Sequence, residues 1–340
     1  MTNRLTAAAI ARLERLPRVS LGRWPTPLEP APRLSAALGG PDIWIKRDDL
    51  STLGLGGNKV RKLEFLLGDA LAQGADVVLT EGGVQSNHSR QTAAAAARLG
   101  LRCILVLNGQ AGATPQGNLL LDELLGAEVR LYPGISAAER NRIMHQTAAE
   151  LRAQGHHPYA IPLGGSTGLG TMGYALAARE LAEQAQALGL ALDGVVVSSS
   201  SGGTQAGLLL GQRLFALPWA VWGISPDLAA AELRSLVANV ASQGAALLGL
   251  APVLADQVLV YDDYVGPGYG IMTPAIKEAI HLAARTEGVF LDPVYTAKTM
   301  TGLIDLVRRG VLAKGQTIVF WHTGGTPTLF AYAPELAAAV

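Results

Sequence analysis

One cysteine in 340 residues, Cys103, excludes an intrachain disulfide, so a fold of this size must hold itself by burial and hydrogen bonding. It sits in the apolar run CILVL and reads as a buried strand residue in a reducing compartment, with cytoplasm as the expected location. Net charge is also missing: 27 Lys and Arg balance 27 Asp and Glu, which gives no case for a nucleic acid or an anionic membrane as partner. No apolar run reaches the roughly 20 residues that cross a bilayer. The opening segment MTNRLTAAAIARLERLPR is interrupted by Arg4, Arg12, Glu14 and Arg15 before a signal-peptide core can form. Histidine is scarce, 6 in all with no paired spacing, and no metal is expected.

Apolar residues make up 49% of the chain and glycines number 40, a composition and length that suit two α/β domains. Short β-rich runs alternate with Ala/Leu-rich stretches. The pattern predicts strands over Ile43 to Lys46, Asp76 to Thr80, Cys103 to Leu107, Glu128 to Leu131, Gly194 to Ser198, Ala220 to Ile224, Gln257 to Tyr261 and Thr317 to Trp321. It predicts helices such as Lys59 to Gln73, Asn87 to Leu99, Ala137 to Gln154, Gly170 to Leu188, Thr204 to Phe215, Pro274 to Thr286 and Ala297 to Arg309. Continuous apolar strands, each followed by a helix, indicate parallel sheets covered on both faces, with ligands at the strand C-terminal ends. The stretch from Gly155 to Gly170 reads as chain crossing between domains.

The most informative segment is GGNKVRKLEFLLGDAL, Gly56 to Leu71, which places Lys59 behind a Gly-Gly-Asn turn as a helix begins. The positive end of a helix dipole disfavours the ammonium and so prepares a nucleophilic amine; the competing reading is a solvated lysine. SSSSGGT, Ser198 to Thr204, follows a strand and opens a helix, so its amides can receive a phosphate without a cation, and the lysine of a Walker loop is lacking. In GGVQSNHSRQ, Ser86 is a natural N-cap that would aim the amides of Asn87, His88 and Ser89 at an anion such as a substrate carboxylate. His88 reads as an orienting or solvent-facing residue. Tyr269 in GPGYGIMTP, Tyr295 and Thr296 in LDPVYTAKT, and Thr323 in WHTGGTP complete the set of candidate loops, with packing as the alternative role for the tyrosines. His322 reads as a buried, hydrogen-bonded neighbour. GGSTGLG, with Gly164, Gly168 and Gly170, mimics a dinucleotide turn, but no clear strand precedes it and nicotinamide is not expected.

Taken in order, IKRDDL, GGNKVRKLEF, QSNHSRQTAAAAA, SGGTQAGL, PGYG, LDPVY and HTGGTP resemble one family across nearly the whole chain, from Pro25 to Phe330. It is the D-cysteine desulfhydrase and 1-aminocyclopropane-1-carboxylate deaminase group of the tryptophan-synthase-β-like pyridoxal-phosphate enzymes. The resemblance implies that Lys59 holds the cofactor covalently and shuttles the α-proton, that Ser200, Ser201, Gly202, Gly203 and Thr204 cradle the phosphate, and that Lys62 adds a cation there. It implies Asn87 at the cofactor ring oxygen, Ser86 touching the substrate carboxylate or acting as the nucleophile assigned in the deaminases, Tyr269 and Tyr295 facing the substrate, and Thr323 near the ring nitrogen. Deaminases of this group carry Glu where this chain has Thr296, a cofactor-site position; a neutral residue there favours a milder electron sink and β-elimination over ring opening. The resemblance thus implies a lyase acting on a small β-substituted amino acid, D-cysteine foremost, with L-cysteate, β-chloro-D-alanine and the cyclopropane amino acid as competitors. It implies a homodimer too, with a large domain of residues 1–59 and 171–340 and a smaller one of 60–170. A non-catalytic phosphate-ligand binding protein is the reading from another class.

Overall fold

The computed structural model describes residues 2–112 and 114–337. A six-stranded sheet takes β1 (Leu28–Pro30), β2 (Asp42–Arg47), β7 (Gly194–Ser198), β8 (Ala220–Ile224), β9 (Leu259–Tyr261) and β10 (Thr317–His322) in the order β1-β2-β10-β7-β8-β9. Only β1 runs antiparallel to its neighbour. A four-stranded parallel sheet takes β3 (Val77–Gly83), β4 (Arg102–Asn108), β5 (Glu128–Tyr132) and β6 (Pro158–Ile161) in the order β5-β4-β3-β6.

The apolar strands are explained by burial on both faces. Along β7, Val195 and Val197 enter one core while Val196 enters the opposite one, and in β10 Val319 and Trp321 part from Ile318 and Phe320 in the same way. In β4, Cys103, Leu105 and Leu107 face the Lys59–Ala72 and Asn87–Leu99 helices, and Ile104 and Val106 face the Ala137–Ala153 helix. The two-residue period of a strand therefore leaves no polar face to show in the sequence.

Every strand predicted from the sequence is present. Two more were missed: β1, three residues long, and β6, four residues beginning at a proline, both too short to carry a periodic signal. β6 corrects the reading of residues 155–170 as mere crossing chain, and the GGSTGLG turn does follow a strand. The Ala230–Leu248 helix, absent from the predicted set, packs on the large sheet. Because the strands are parallel, the segments after β3, β6, β7, β8 and β10 emerge at C-terminal ends, and these carry the cavity described below.

A buried ion cluster fixes the start of the Lys59–Ala72 helix to the large sheet. Asp48 accepts from Arg61 Nε at 3.0 Å and Nη2 at 2.8 Å, from Thr26 Oγ1 at 2.9 Å, from Trp321 Nε1 at 2.8 Å and from the Tyr174 hydroxyl. Arg61 reaches on to Glu180, which also takes Lys46 at 2.5 Å. Burial alone would raise the Asp48 carboxyl, but the Arg61 charge and hydrogen bonds, with help from Lys46 and Tyr174, bring it down to about 2. A folded value below the unfolded one means stability that is complete above about pH 4 and is lost as pH falls toward 2, some 2 kcal/mol in all. Asp48→Asn should therefore cost about 3 kcal/mol at pH 7 by leaving Arg61 and Lys46 undercompensated. The gap between the urea midpoints of the two proteins should narrow from pH 4 downward; a gap constant with pH would contradict the assignment.

Candidate active site

Between the two sheets lies a cavity of about 600 Å³. Its wall includes Lys59, Ser86, Asn87, His88, Ser200 to Thr204, Tyr269, Tyr295 and Thr323, so the fold gathers most of the residues singled out from sequence. Two do not reach the wall. Lys62 is buried just behind it, and Thr296 is fully buried at a helix start with its hydroxyl 2.7 Å from Asp292 Oδ1. The structure thus corrects the placing of Thr296 in the cofactor site: helix geometry turns its side chain back to the aspartate that caps it.

Lys59 is aimed by two neighbours, Asn58 and Gln91. Asn58 donates its amide to Thr323 O and its side-chain Nδ2 to Thr204 Oγ1, both at 3.0 Å. Gln91 Oε1, from the adjacent helix, accepts from the amides of Lys59 at 3.0 Å and Val60 at 3.1 Å, a long-range cap for donors that a helix start leaves free. Lys59 Nζ donates to Asn58 Oδ1 at 3.0 Å. Burial lowers the Lys59 amine to about 8 against the charge of Asp292, which raises it. The direction is the one expected from the helix dipole, but removal from water is the larger cause.

At the Ser198–Thr204 turn, Gly202 caps the Gly203–Leu214 helix with φ 79°. Ser166, from the turn after β6, accepts from the Gly203 amide at 3.1 Å and meets Ser201 Oγ at 2.8 Å. Lys62 Nζ donates to Gly164 O at 3.1 Å and to Ser166 Oγ at 3.2 Å. A Cβ at position 203 would lie 2.5 Å from Ser166 Oγ and 2.8 Å from Lys62 Nζ, so only glycine fits. The cradle therefore has a lysine amine behind it, buried and out of solvent. Burial, then the charge of Lys59, pushes the Lys62 amine well below its ordinary value. An anion in the cradle would reverse that, and the buried hydroxyls of Ser198 and Ser199 have no partner in the protein. These features fit a phosphate group.

On the facing wall, Ser86 Oγ accepts from the Ser89 amide at 3.1 Å, so of the amides expected to meet an anion those of Asn87 and His88 remain. Asn118 Nδ2 donates to Asn87 Oδ1 at 2.9 Å, which leaves the Asn87 side-chain NH2 for the cavity. His88 is buried, not solvent-facing; both ring nitrogens lack a protein partner, and burial with the charges of Lys59 and Lys62 keeps it neutral. The Tyr269 and Tyr295 hydroxyls meet at 2.5 Å. Burial raises both phenols, Tyr269 to about 12, so both are protonated at neutral pH. His322 accepts from the Gly324 amide and is 3.0 Å from Phe290 O, a structural imidazole as expected.

Sequence reasoning missed several wall residues. Gly164 and Ser166 were set aside with the dinucleotide decoy, and Asp227, which accepts from Ser200 Oγ at 2.6 Å, follows β8 with no motif to mark it. Glu81 and Arg140, 3.4 Å apart, line the end of the cavity nearest the small sheet. Among the described residues no group of acidic, His or Cys side chains is placed to hold a metal, and no helix is long and apolar enough to cross a membrane.

Comparison with known proteins agrees with this geometry. Residues 19–324 match the family model described as "Pyridoxal-phosphate dependent enzyme". A D-cysteine desulfhydrase from Salmonella schwarzengrund is 44% identical over 329 residues, 95% of this chain and 98% of its own. A protein of Pyrococcus abyssi, named provisionally as a 1-aminocyclopropane-1-carboxylate deaminase, is 44% identical over 326 residues, 96% and 97% of the two chains. The crystal structure of an ACC deaminase homologue superposes with a TM-score of 0.91 at 42% identity, covering 97% of this chain and 98% of the other. A cavity lysine, a glycine cradle backed by a second lysine, and this likeness along the whole chain agree, and the chain belongs to the pyridoxal-phosphate dependent enzymes, in the group that holds D-cysteine desulfhydrases and 1-aminocyclopropane-1-carboxylate deaminases.

Proposed function

We propose that the chain is a lyase for α,β-elimination on a small β-substituted amino acid, D-cysteine foremost, by the balance D-cysteine plus water to pyruvate, hydrogen sulfide and ammonia. The observation that carries this reading is Lys59: a cavity amine brought to about 8, beside an anion cradle with Lys62 behind it. Bound pyridoxal phosphate supplies an aldehyde that captures amines and a ring that takes up electrons from Cα. Ser200, Ser201, Gly202, Gly203 and Thr204, with Lys62, would hold its phosphate; Lys59 Nζ would hold its aldehyde carbon; Asn87 would donate to its ring oxygen.

Thr323 is the wall residue assigned to the ring nitrogen. Thr323 brings a neutral hydroxyl, and Thr296 stands where the deaminases carry a glutamate, a pairing that suits a substrate whose β-substituent leaves readily. The start of the Ser86 helix, with His88, receives the substrate carboxylate. Lys59 Nζ, whenever it is not holding the cofactor, would take the α-proton. The Tyr269 and Tyr295 pair would give the sulfur its proton as the Cβ–S bond breaks, and the water in the balance would release the nitrogen as ammonia. In the same reading the working form is a cytoplasmic homodimer. Residues 60–170 form the smaller domain that closes on the substrate over residues 1–59 and 171–340; the four-stranded sheet falls wholly within that smaller span.

Lys59→Ala should lower pyruvate release by roughly 10²–10⁴-fold or more and remove the visible absorbance of the lysine-bound cofactor. Release at the wild-type rate would refute its role. A panel of D-cysteine, L-cysteine, L-cysteate and 1-aminocyclopropane-1-carboxylate should give sulfide and pyruvate from D-cysteine fastest. Faster 2-oxobutanoate would favour ring opening, and no product with no colour would favour a phosphate-ligand binder.

Uptake of cofactor by the cofactor-free protein should accelerate as pH rises through about 8, because only neutral Lys59 attacks the aldehyde. Asp292→Asn should move that midpoint lower, since the aspartate charge raises the amine. A midpoint unchanged or higher in the variant would contradict this electrostatic account.

A further inference from the structure

Lys298 lies in the first turn of the Thr296–Arg308 helix, 1% exposed, and has no part in the steps above. Its ammonium donates to Pro226 O at 2.8 Å, Val265 O at 2.7 Å and Gly268 O at 2.9 Å. Three protons meet three carbonyls, which satisfies the donor capacity of the group and offsets the cost of removing it from water. All three acceptors lie outside its own helix. Pro226 precedes Asp227, the partner of Ser200 in the cradle, and Val265 and Gly268 sit in the turn that delivers Tyr269.

That turn needs an external hold. Gly266, Gly268 and Gly270 have φ of 64°, 155° and 71°, so the segment around Tyr269 is glycine-dependent and carries a high entropy of ordering. Tyr269 is 52% exposed as a whole; its hydroxyl end is enclosed and its ring meets that of Tyr295 edge-on, with centroids 5.9 Å apart, a contact that holds only if the turn is held. Its hydroxyl nevertheless lies 2.5 Å from that of Tyr295, the residue at the N-terminus of the helix that carries Lys298. A lysine three residues beyond one phenol thus grips the backbone next to the other.

We propose that Lys298 is a positioning residue, whose ammonium ties the Gly266–Gly270 turn to the Tyr295 helix and so sets the contact between the two phenols. The proposal rests on the reading that these tyrosines face the substrate and serve the leaving group. Without the tether the turn keeps its covalent path but loses a fixed distance to Tyr295, and a displacement of about 1 Å at a proton donor is enough to slow a step by up to a hundredfold.

Two measurements on the full-length enzyme test it. In Lys298→Met, hydrogen exchange followed by mass spectrometry should show peptides within residues 262–272 exchanging at least about tenfold faster, with the β7 strand unchanged. Turnover of D-cysteine should fall about ten- to a hundredfold with the cofactor absorbance retained, and Tyr269→Phe added to Lys298→Met should cost little more, because both act on one group. Lys298→Gln, which keeps an NH2 donor, should recover part of both losses. Unchanged exchange at 262–272, fully multiplicative losses in the double variant, or faster exchange with wild-type turnover would each overturn the proposal. So would failure of both Lys298 variants to fold, which would make the residue a stability element. If the wild-type enzyme released no product from any substrate, the function reading would fall, while the exchange result would still decide whether the tether exists.

Discussion

The site depends on how one turn of backbone, Gly57 to Lys59, is held. Asn58 binds the loop after β10 through Thr323 O and the cradle helix through Thr204 Oγ1, while Gln91 reaches from the Ser86 helix to cap the amides of Lys59 and Val60. Four segments distant in sequence thereby take their spacing from two residues, Asn58 through its main-chain and side-chain amides and Gln91 through its side-chain oxygen. Each bond is modest, about 1 kcal/mol net, but the buried donors they satisfy would cost more if left bare. Arg61 in the same first turn anchors the helix to Asp48 and Glu180 on the far side, so the direction of Lys59 is fixed from both ends.

Electrostatics follows from that placement. Lys59, Lys62 and His88 share one enclosed region, where burial lowers all three, Lys59 lowers the other two, and Lys62 adds to the effect on His88. Asp292 opposes the effect at Lys59 alone, held by the amides of Val294, Tyr295 and Thr296. The consequence is a region with unused donors and a depressed Lys62 amine that an anionic ligand restores to charge. A dianionic phosphate between Lys62 and the first turn of the Gly203–Leu214 helix is the natural complement, and the Lys59 amine, lowered to about 8, reaches near neutral pH the uncharged form that attacks an aldehyde.

Much of this was legible in the sequence because it rests on local rules. Strands with both faces buried give continuous apolar runs, and a polar, glycine-bearing loop after such a run marks a ligand end; Lys59, the Ser198–Thr204 turn and the Ser86 cap were found that way. What escaped depends on tertiary partners. Ser166 looks like any serine until β6, too short and too proline-led to read as a strand, sets it under the cradle. The hydroxyl of Thr296 turns to Asp292 because the aspartate, four residues earlier, caps the helix, a choice between two local partners that motif matching does not resolve. Lys62 was singled out only through the resemblance and Lys298 not at all, and the fold shows that each is enclosed by backbone carbonyls or hydroxyls.

The central claim is that Lys59, among all the lysines of the chain, is the amine that holds the cofactor. Borohydride reduction of the cofactor-loaded protein followed by peptide mapping tests it directly. The account predicts the phosphopyridoxyl mark on the peptide that contains Lys59 and on no other. A mark on Lys62 in its place, or a protein left unlabelled, would contradict it.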